Sequence, residues 1–288
     1  MKKILVTGAN GQLGSELRKL SEEQEQFEWV FTDWQELDLC NLENLATSIA
    51  KINPQIIINC AAHTAVDKAE SEYELSDVLN HQAVAIMAKW SYENNSKFIH
   101  ISTDYVFDGN SAVPLTEEAP TAPINVYGVT KLAGEKACQL ENPDSIIIRT
   151  SWVYSSFGNN FVKTMSRLMQ ERDSLNVVND QIGSPTYAAD LAQAIITIIN
   201  HSNWQSGIYH FSNEGEISWC EFALAIKEIG NFDCEINGIP SSAYPTPAKR
   251  PAYSLLDKTK IKTTFGVIVP EYRESLEKCM ELLRIKAN

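Results

Sequence analysis

Two isoleucine triplets, Ile56-Ile57-Ile58 and Ile146-Ile147-Ile148, constrain the fold of this chain more than any other feature. Successive side chains of a strand point to opposite faces, so an apolar β-branched run needs cover on both sides. Such strands belong in the middle of a parallel sheet flanked by helices. Further β-rich runs at 3–6, 29–32 and 97–102 complete a series with the triplets, which sit in runs at 55–59 and 145–150. Helical patterns lie between them. Leu42, Leu45, Ala46, Ile49 and Ile52 form one apolar stripe that ends before Pro54, and further helical stretches are expected over about 76–94 and 126–142. Strand and helix alternating at this spacing make a doubly wound α/β sheet.

After residue 150 the pattern is less regular. A helix with Phe161, Met165, Leu168 and Met169 on one face is followed by a short strand at 176–178, a helix over about 188–200 and a strand at 207–211. Ser218-Trp219-Cys220-Glu221 has the form of a capping box opening another helix. The Pro- and Ser-rich stretch 240–251 reads as an ordered loop. A larger N-terminal domain and a smaller C-terminal one follow, with the chain crossing between them more than once.

The turn after the first strand carries glycines at 8, 11 and 14, in Thr7-Gly8-Ala9-Asn10-Gly11-Gln12-Leu13-Gly14. A glycine-rich turn between a strand and a helix lets a pyrophosphate approach the backbone and meet the helix N-terminus. The first domain is therefore expected to be a dinucleotide-binding Rossmann domain over 1–150, receiving also about 174–210. The rest, 151–173 and 211–288, is expected to form a smaller C-terminal α/β substrate domain. Asp33 closes the second strand, 19 residues beyond Gly14. A carboxylate there accepts hydrogen bonds from ribose hydroxyls and repels a 2′-phosphate, which favours NADH over NADPH. Asp38 and Leu39 end the next short run and are candidates to flank the adenine.

Composition excludes other classes. Of 288 residues, 44% are hydrophobic and 21% charged, with a formal net charge of −13. A chain so acidic has no basic field for nucleic acid or a membrane surface. Six scattered cysteines show no metal-like spacing and read as reduced thiols. The chain enters a strand almost at once and has no apolar run of membrane-spanning length, so a cytoplasmic location is expected.

Tyr127 and Lys131 are four residues apart on a predicted helix and so share a face. An ammonium beside a phenol lowers its pKa, and the pair could pass a proton to or from a carbonyl oxygen. Solvated helix faces also carry such pairs, so the spacing alone leaves both readings open.

The glycine turn together with Tyr127-x-x-x-Lys131 resembles the extended short-chain dehydrogenase/reductases. Longer stretches narrow the resemblance: residues 59–70 (NCAAHTAVDKAE), 102–109 (STDYVFDG), 149–154 (RTSWVY), 158–161 (GNNF), 180–186 (DQIGSPT) and 245–251 (PTPAKRP). Together they are similar to the dTDP-4-dehydrorhamnose reductase family over nearly the whole chain. The resemblance implies hydride transfer from NADH or NADPH to C4 of a dTDP-linked 6-deoxy-4-keto hexose, with Tyr127 as proton donor. It implies Lys131 lowering the Tyr127 pKa and holding the nicotinamide ribose, and Thr103 bonding the sugar oxygen. It also implies Gly11, Gln12 and Leu13 at the pyrophosphate, and Ala62, His63 and Thr64 along the cofactor. Asp104 and Trp152 border the sugar, with Lys249 and Arg250 as candidates for the diphosphate. For His63, Trp152 and Lys249 an ordinary structural role competes. The family is associated with Mg2+ held by carboxylates at a homodimer interface. Glu16 matches one such position, but another falls on Ala189, with Asp190 beside it, so a metal-bridged homodimer is not fully specified and no catalytic metal is implied. Alternatives are another keto-sugar nucleotide reductase or epimerase, or a non-catalytic subunit resembling the regulatory subunit of methionine adenosyltransferase. The single acid after Thr103 argues against dehydratase chemistry.

Overall fold

The computed structural model describes residues 1–287. Its centre is a six-stranded, wholly parallel sheet built from β1 (Lys2–Thr7), β2 (Phe27–Thr32), β3 (Ile56–Asn59), β4 (Lys97–Thr103), β5 (Ile146–Thr150) and the late strand Gly207–His210. The spatial order is Gly207–His210, β5, β4, β3, β1, β2. Both isoleucine triplets are central and completely enclosed. Ile56, Ile58, Ile146 and Ile148 pack on one face with Leu13 and Leu17 of α1 (Gln12–Ser21) and with the helix Ala188–Asn200. Ile57 and Ile147 pack on the other with Leu45 and Ile49 of α2 (Leu42–Ile52) and with Val84 and Met87. This two-faced burial is what the triplets require. It makes the chain an α/β protein with a doubly wound, Rossmann-like sheet.

The order reverses between β1 and β3, because β2 is added on one side of β1 and everything later on the other. At such a switch point the loops beyond the strand ends separate and leave a crevice.

A second apolar cluster lies outside the sheet, formed by residues such as Val162, Met169, Leu175, Phe222, Ile226 and Leu276. The strand Ser174–Val178 pairs with Glu235–Ile239 here, and its Leu175 and Val177 belong to this cluster. It does not join the sheet, contrary to the expected return of about 174–210. The returning segment is the helix Ala188–Asn200 with the strand Gly207–His210, whose apolar residues join the sheet's own cluster.

The helical stretch expected over 76–94 is also broken. A π-turn, Val78–Gln82, separates the short helix Tyr73–Asp77 from Ala83–Glu93. The helix Val126–Glu141 starts at Asn125, whose side chain accepts from Gly128 N at 2.8 Å, so Tyr127 sits in its first turn. The helix Trp219–Gly230 opens on the expected capping box, with Ser218 and Glu221 each bonding the other's backbone. No helix of the described residues is long and apolar enough to cross a membrane.

Candidate active site

A cleft of about 860 Å³ opens at the switch point. The glycine turn forms one end. Gly8 has φ +64, and a Cβ there would come within 2.7 Å of Ala61 N, so this position demands glycine both for its conformation and for the approach of the loop after β3. Helix α1 starts with no side-chain cap, leaving its first N–H groups to an anion. These features fit a dinucleotide pyrophosphate. Gly8, Gly11, Gln12, Leu13, Asp33, Asp38, Leu39, Ala62 and Thr64 all line the cleft.

Asp33 is oriented by its neighbours. Its Oδ2 accepts from Asn10 N (2.9 Å) and its Oδ1 from Trp34 N (2.8 Å), while Asp33 N donates to Glu36 Oε2 (3.0 Å). Asp33 and Asp38 thus line this end of the cleft, with Glu36 bonded behind Asp33. Trp34 lines it too and is 71% exposed, a flat apolar surface that sequence reasoning passed over.

The opposite end gathers Thr103, Asp104, Tyr127, Lys131 and Trp152. Strand pairing brings Thr103, at the end of β4, opposite Thr150, two residues before Trp152. The Thr103 hydroxyl donates to Asp104 Oδ1 at 3.0 Å and accepts from Tyr105 N at 3.2 Å. Burial pushes the Asp104 carboxyl up to about 6, which the Ser254 and Thr103 hydroxyls only partly offset. Tyr105 meets the Tyr127 ring edge-on at 5.5 Å.

Tyr127 is 9% exposed, and burial pushes its phenol up to about 12, with the Thr103 hydroxyl pulling the other way. The expected depression by Lys131 is not what sets it. Lys131 Nζ instead donates to Ile101 O at 2.6 Å, and burial brings its own pKa down to about 8 against the upward pull of Glu135. Glu135 in turn makes a fully enclosed two-point pair with Arg149, at 2.9 and 2.7 Å. His100 completes the lysine's surroundings. Asn59 Oδ1 accepts from the Thr7 hydroxyl (2.7 Å) and Ala61 N (3.2 Å), so its amide nitrogen faces His100 Nδ1 at 3.0 Å. The other ring nitrogen, Nε2, lies 3.4 Å from Lys131 Nζ. Burial holds His100 well below its ordinary pKa.

Two expected residues are placed elsewhere. His63 is not among the residues lining the cleft: its Nδ1 pairs with Ser76 Oγ (2.7 Å) and its Nε2 with Glu72 (3.0 Å). Arg250 also lies off the cleft wall, its guanidinium held by both oxygens of Asp67 (2.8 and 2.7 Å) and by Ala248 O (2.7 Å). Lys249 is exposed and contributes its carbonyl to Asn125 Nδ2 (2.8 Å). Asn80 was missed by sequence reasoning. Fully buried in the π-turn, it takes His63 N on its Oδ1 (2.8 Å) and donates to His63 O (3.2 Å) and Thr130 Oγ1 (3.1 Å). It thereby ties the loop after β3 to the helix that carries Tyr127. Nothing in the expected helical stretch over 76–94 marked it out.

The residues do not fit a carboxylate-held surface Mg2+. Glu16 is 2% exposed and accepts from Ser155 Oγ at 2.6 Å, and Ala189 offers no ligand. Asp190 bonds Asn213 (2.7 Å) and Ser275 (2.5 Å). Among the described residues no group of three His, Cys, Asp or Glu side chains could hold a metal.

A parallel sheet whose switch-point cleft runs from a glycine turn to a Thr/Tyr/Lys cluster defines an extended short-chain dehydrogenase/reductase, an enzyme of the oxidoreductase class. The chain belongs, more narrowly, to the dTDP-4-dehydrorhamnose reductase family: the family described as RmlD substrate binding domain matches residues 1–285. A dTDP-4-dehydrorhamnose reductase of Aggregatibacter actinomycetemcomitans is 42% identical, over 96% of this chain and 98% of that relative. The crystal structure of a dTDP-4-dehydrorhamnose reductase from Clostridium acetobutylicum superposes with a TM-score of 0.94 at 40% identity, over 98% of this chain and 99% of that one. One from Bacillus anthracis, in complex with NADP, gives 0.92 at 40% identity, over 98% of this chain and all of that one.

Proposed function

We propose that this chain reduces dTDP-4-dehydro-6-deoxy-L-mannose (dTDP-4-dehydro-L-rhamnose) to dTDP-L-rhamnose, with Tyr127 as the proton donor to O4. The observation that carries this reading is the meeting of Thr103, Tyr127 and Lys131 at one end of a cleft whose other end is the glycine turn. Reduced NAD(P)H, when bound, supplies the hydride received at C4. The residues of the chain do the rest. A phenol near 12 is fully protonated at neutral pH, which is the state a proton donor needs. Thr103, whose hydroxyl already lowers that value, stabilises the phenolate left behind and orients the carbonyl oxygen. Lys131, cationic below about 8, supplies positive charge as negative charge grows on the oxygens beside it. Trp152 and Asp104 border the sugar.

The acids at the glycine-turn end, Asp33 on the cleft wall with Glu36 bonded to its N–H, favour NADH, since a 2′-phosphate would meet like charge with no guanidinium among the lining residues. The B. anthracis relative was crystallised in complex with NADP, so NADPH is kept as the second candidate.

Initial rates of NADH and NADPH consumption on the dTDP-keto-sugar test substrate and cofactor together. Wild type should turn over, with a lower KM for NADH, and Tyr127→Phe should lose roughly 10²–10⁴-fold in kcat, the usual contribution of general acid catalysis. No turnover by wild type, or a Tyr127→Phe variant of equal activity, would sink the reading.

A further inference from the structure

Trp152 has φ +48, a left-handed conformation that a bulky side chain adopts only when its surroundings impose it. The surroundings are unusually specific. One face of its indole stacks on Trp219, centroid to centroid at 3.7 Å and 14° from parallel. Gly183 closes on the same indole, so tightly that a Cβ there would stand 3.0 Å from Cζ2. Trp219 is itself fixed, as the first residue of a helix opened by the Ser218–Glu221 capping box, and is backed by Phe161 at 4.7 Å. Both indoles line the cleft beyond Thr103 and Tyr127, and neither indole N–H bonds a described residue. Partly buried indoles ordinarily find an acceptor, and the open side here is the cleft.

We propose that Trp219 is a substrate-positioning residue. It clamps Trp152 in its left-handed turn, and the stacked pair forms the rigid wall against which the hexose of the sugar nucleotide lies. The C–H face and C6 methyl of a 6-deoxy hexose are apolar and suit a flat aromatic wall, its hydroxyls suit two free N–H donors, and the cofactor, running from the glycine turn, would bring its nicotinamide to the same Tyr127 and Lys131. A helix from the C-terminal layer thus fixes the angle at which C4 meets Tyr127. The inference rests on the reductase reading above.

Trp219→Leu and Trp219→Phe, made in the full chain, test it. Trp219→Leu should abolish the near-ultraviolet dichroism of the stacked indoles. It should raise KM for the dTDP-keto-sugar about tenfold or more while leaving KM for NADH within about twofold, the signature of lost substrate binding. Trp219→Phe should recover most of that KM. The inference is overturned if Trp219→Leu, folded and without the dichroic signal, keeps the wild-type KM for the sugar nucleotide. It is equally overturned if both KM values rise together or phenylalanine does not rescue. A wild-type protein that consumes no NADH would instead sink the reductase reading, and an active wild type with an indifferent Trp219→Leu would remove only the role of Trp219.

Discussion

At the scale of single residues, Asp104 shows how the cleft places a burden on the fold. An ordinary aspartate titrates at 3.8, and this one is raised to about 6 because it is 1% exposed. The folded state then holds the proton more tightly than the unfolded chain. The stability this gives is fully present below about 3.8 and is lost as pH rises to about 6, leaving the ionised carboxylate a cost at neutral pH. Asp104→Asn should therefore be more stable than wild type at pH 7.5, by on the order of 1–3 kcal/mol, and the difference should vanish near pH 4. Thermal melts at the two pH values check this; equal melting temperatures at pH 7.5 would contradict it. Activity should fall in the same variant, because the group lies beside Thr103.

At the scale of elements, the close seating of the helix Val126–Glu141 decides where Tyr127 and Lys131 point. A Cβ on Gly134 would run into the Asn80 carbonyl oxygen in the π-turn, with no flexible side chain to give way. Gly134→Ala should accordingly push the helix off the π-turn. We expect a loss on the order of 2–4 kcal/mol, at or above the usual cost of overpacking, and a fall in kcat larger than the rise in either KM, because the tyrosine is displaced while both ligand ends of the cleft survive. Denaturant melts and initial rates separate the two effects. This contact also marks where sequence reading stopped. The isoleucine triplets, the stripe of α2, the glycine turn and the Ser218 box were legible because local period or local chemistry dictates each. The π-turn was not, since its reason is Asn80 bonding His63 and Thr130, partners 17 and 50 residues away. For His63 the sequence left a cofactor role and a structural one open, and the partners of its ring, Ser76 and Glu72, lie 13 and 9 residues further along the chain. Trp219 was read only as part of a cap, because nothing local shows that Trp152 lies against it.

At the scale of the whole molecule, the sheet and the second cluster each bury their own core, and the cleft works only if they stay in register. Few polar links cross between them. Gln12 reaches Val153 O (3.3 Å) and Asn160 (2.9 Å) beside the glycine turn, and Ser155 donates to Glu16 (2.6 Å). On the far side the loop 245–251 is pinned to the first half by Arg250 on Asp67 and by Lys249 O on Asn125, the cap of the Tyr127 helix. From sequence Arg250 is a candidate phosphate ligand; in the structure its fork is matched to the Asp67 carboxylate in the bidentate form guanidinium favours, which suits a brace as well. The two roles separate by experiment. Arg250→Asp alone sets two carboxylates against each other and should raise KM for the sugar nucleotide roughly tenfold through a loosened loop. The exchange Asp67→Arg with Arg250→Asp restores the pair with its polarity reversed. A brace should then recover most of the lost KM, whereas an arginine needed by the diphosphate itself should not, because the exchange moves the guanidinium to the other side of the pair. Initial-rate measurement of the single and exchanged variants decides between a latch that holds two halves together and a ligand that touches the substrate.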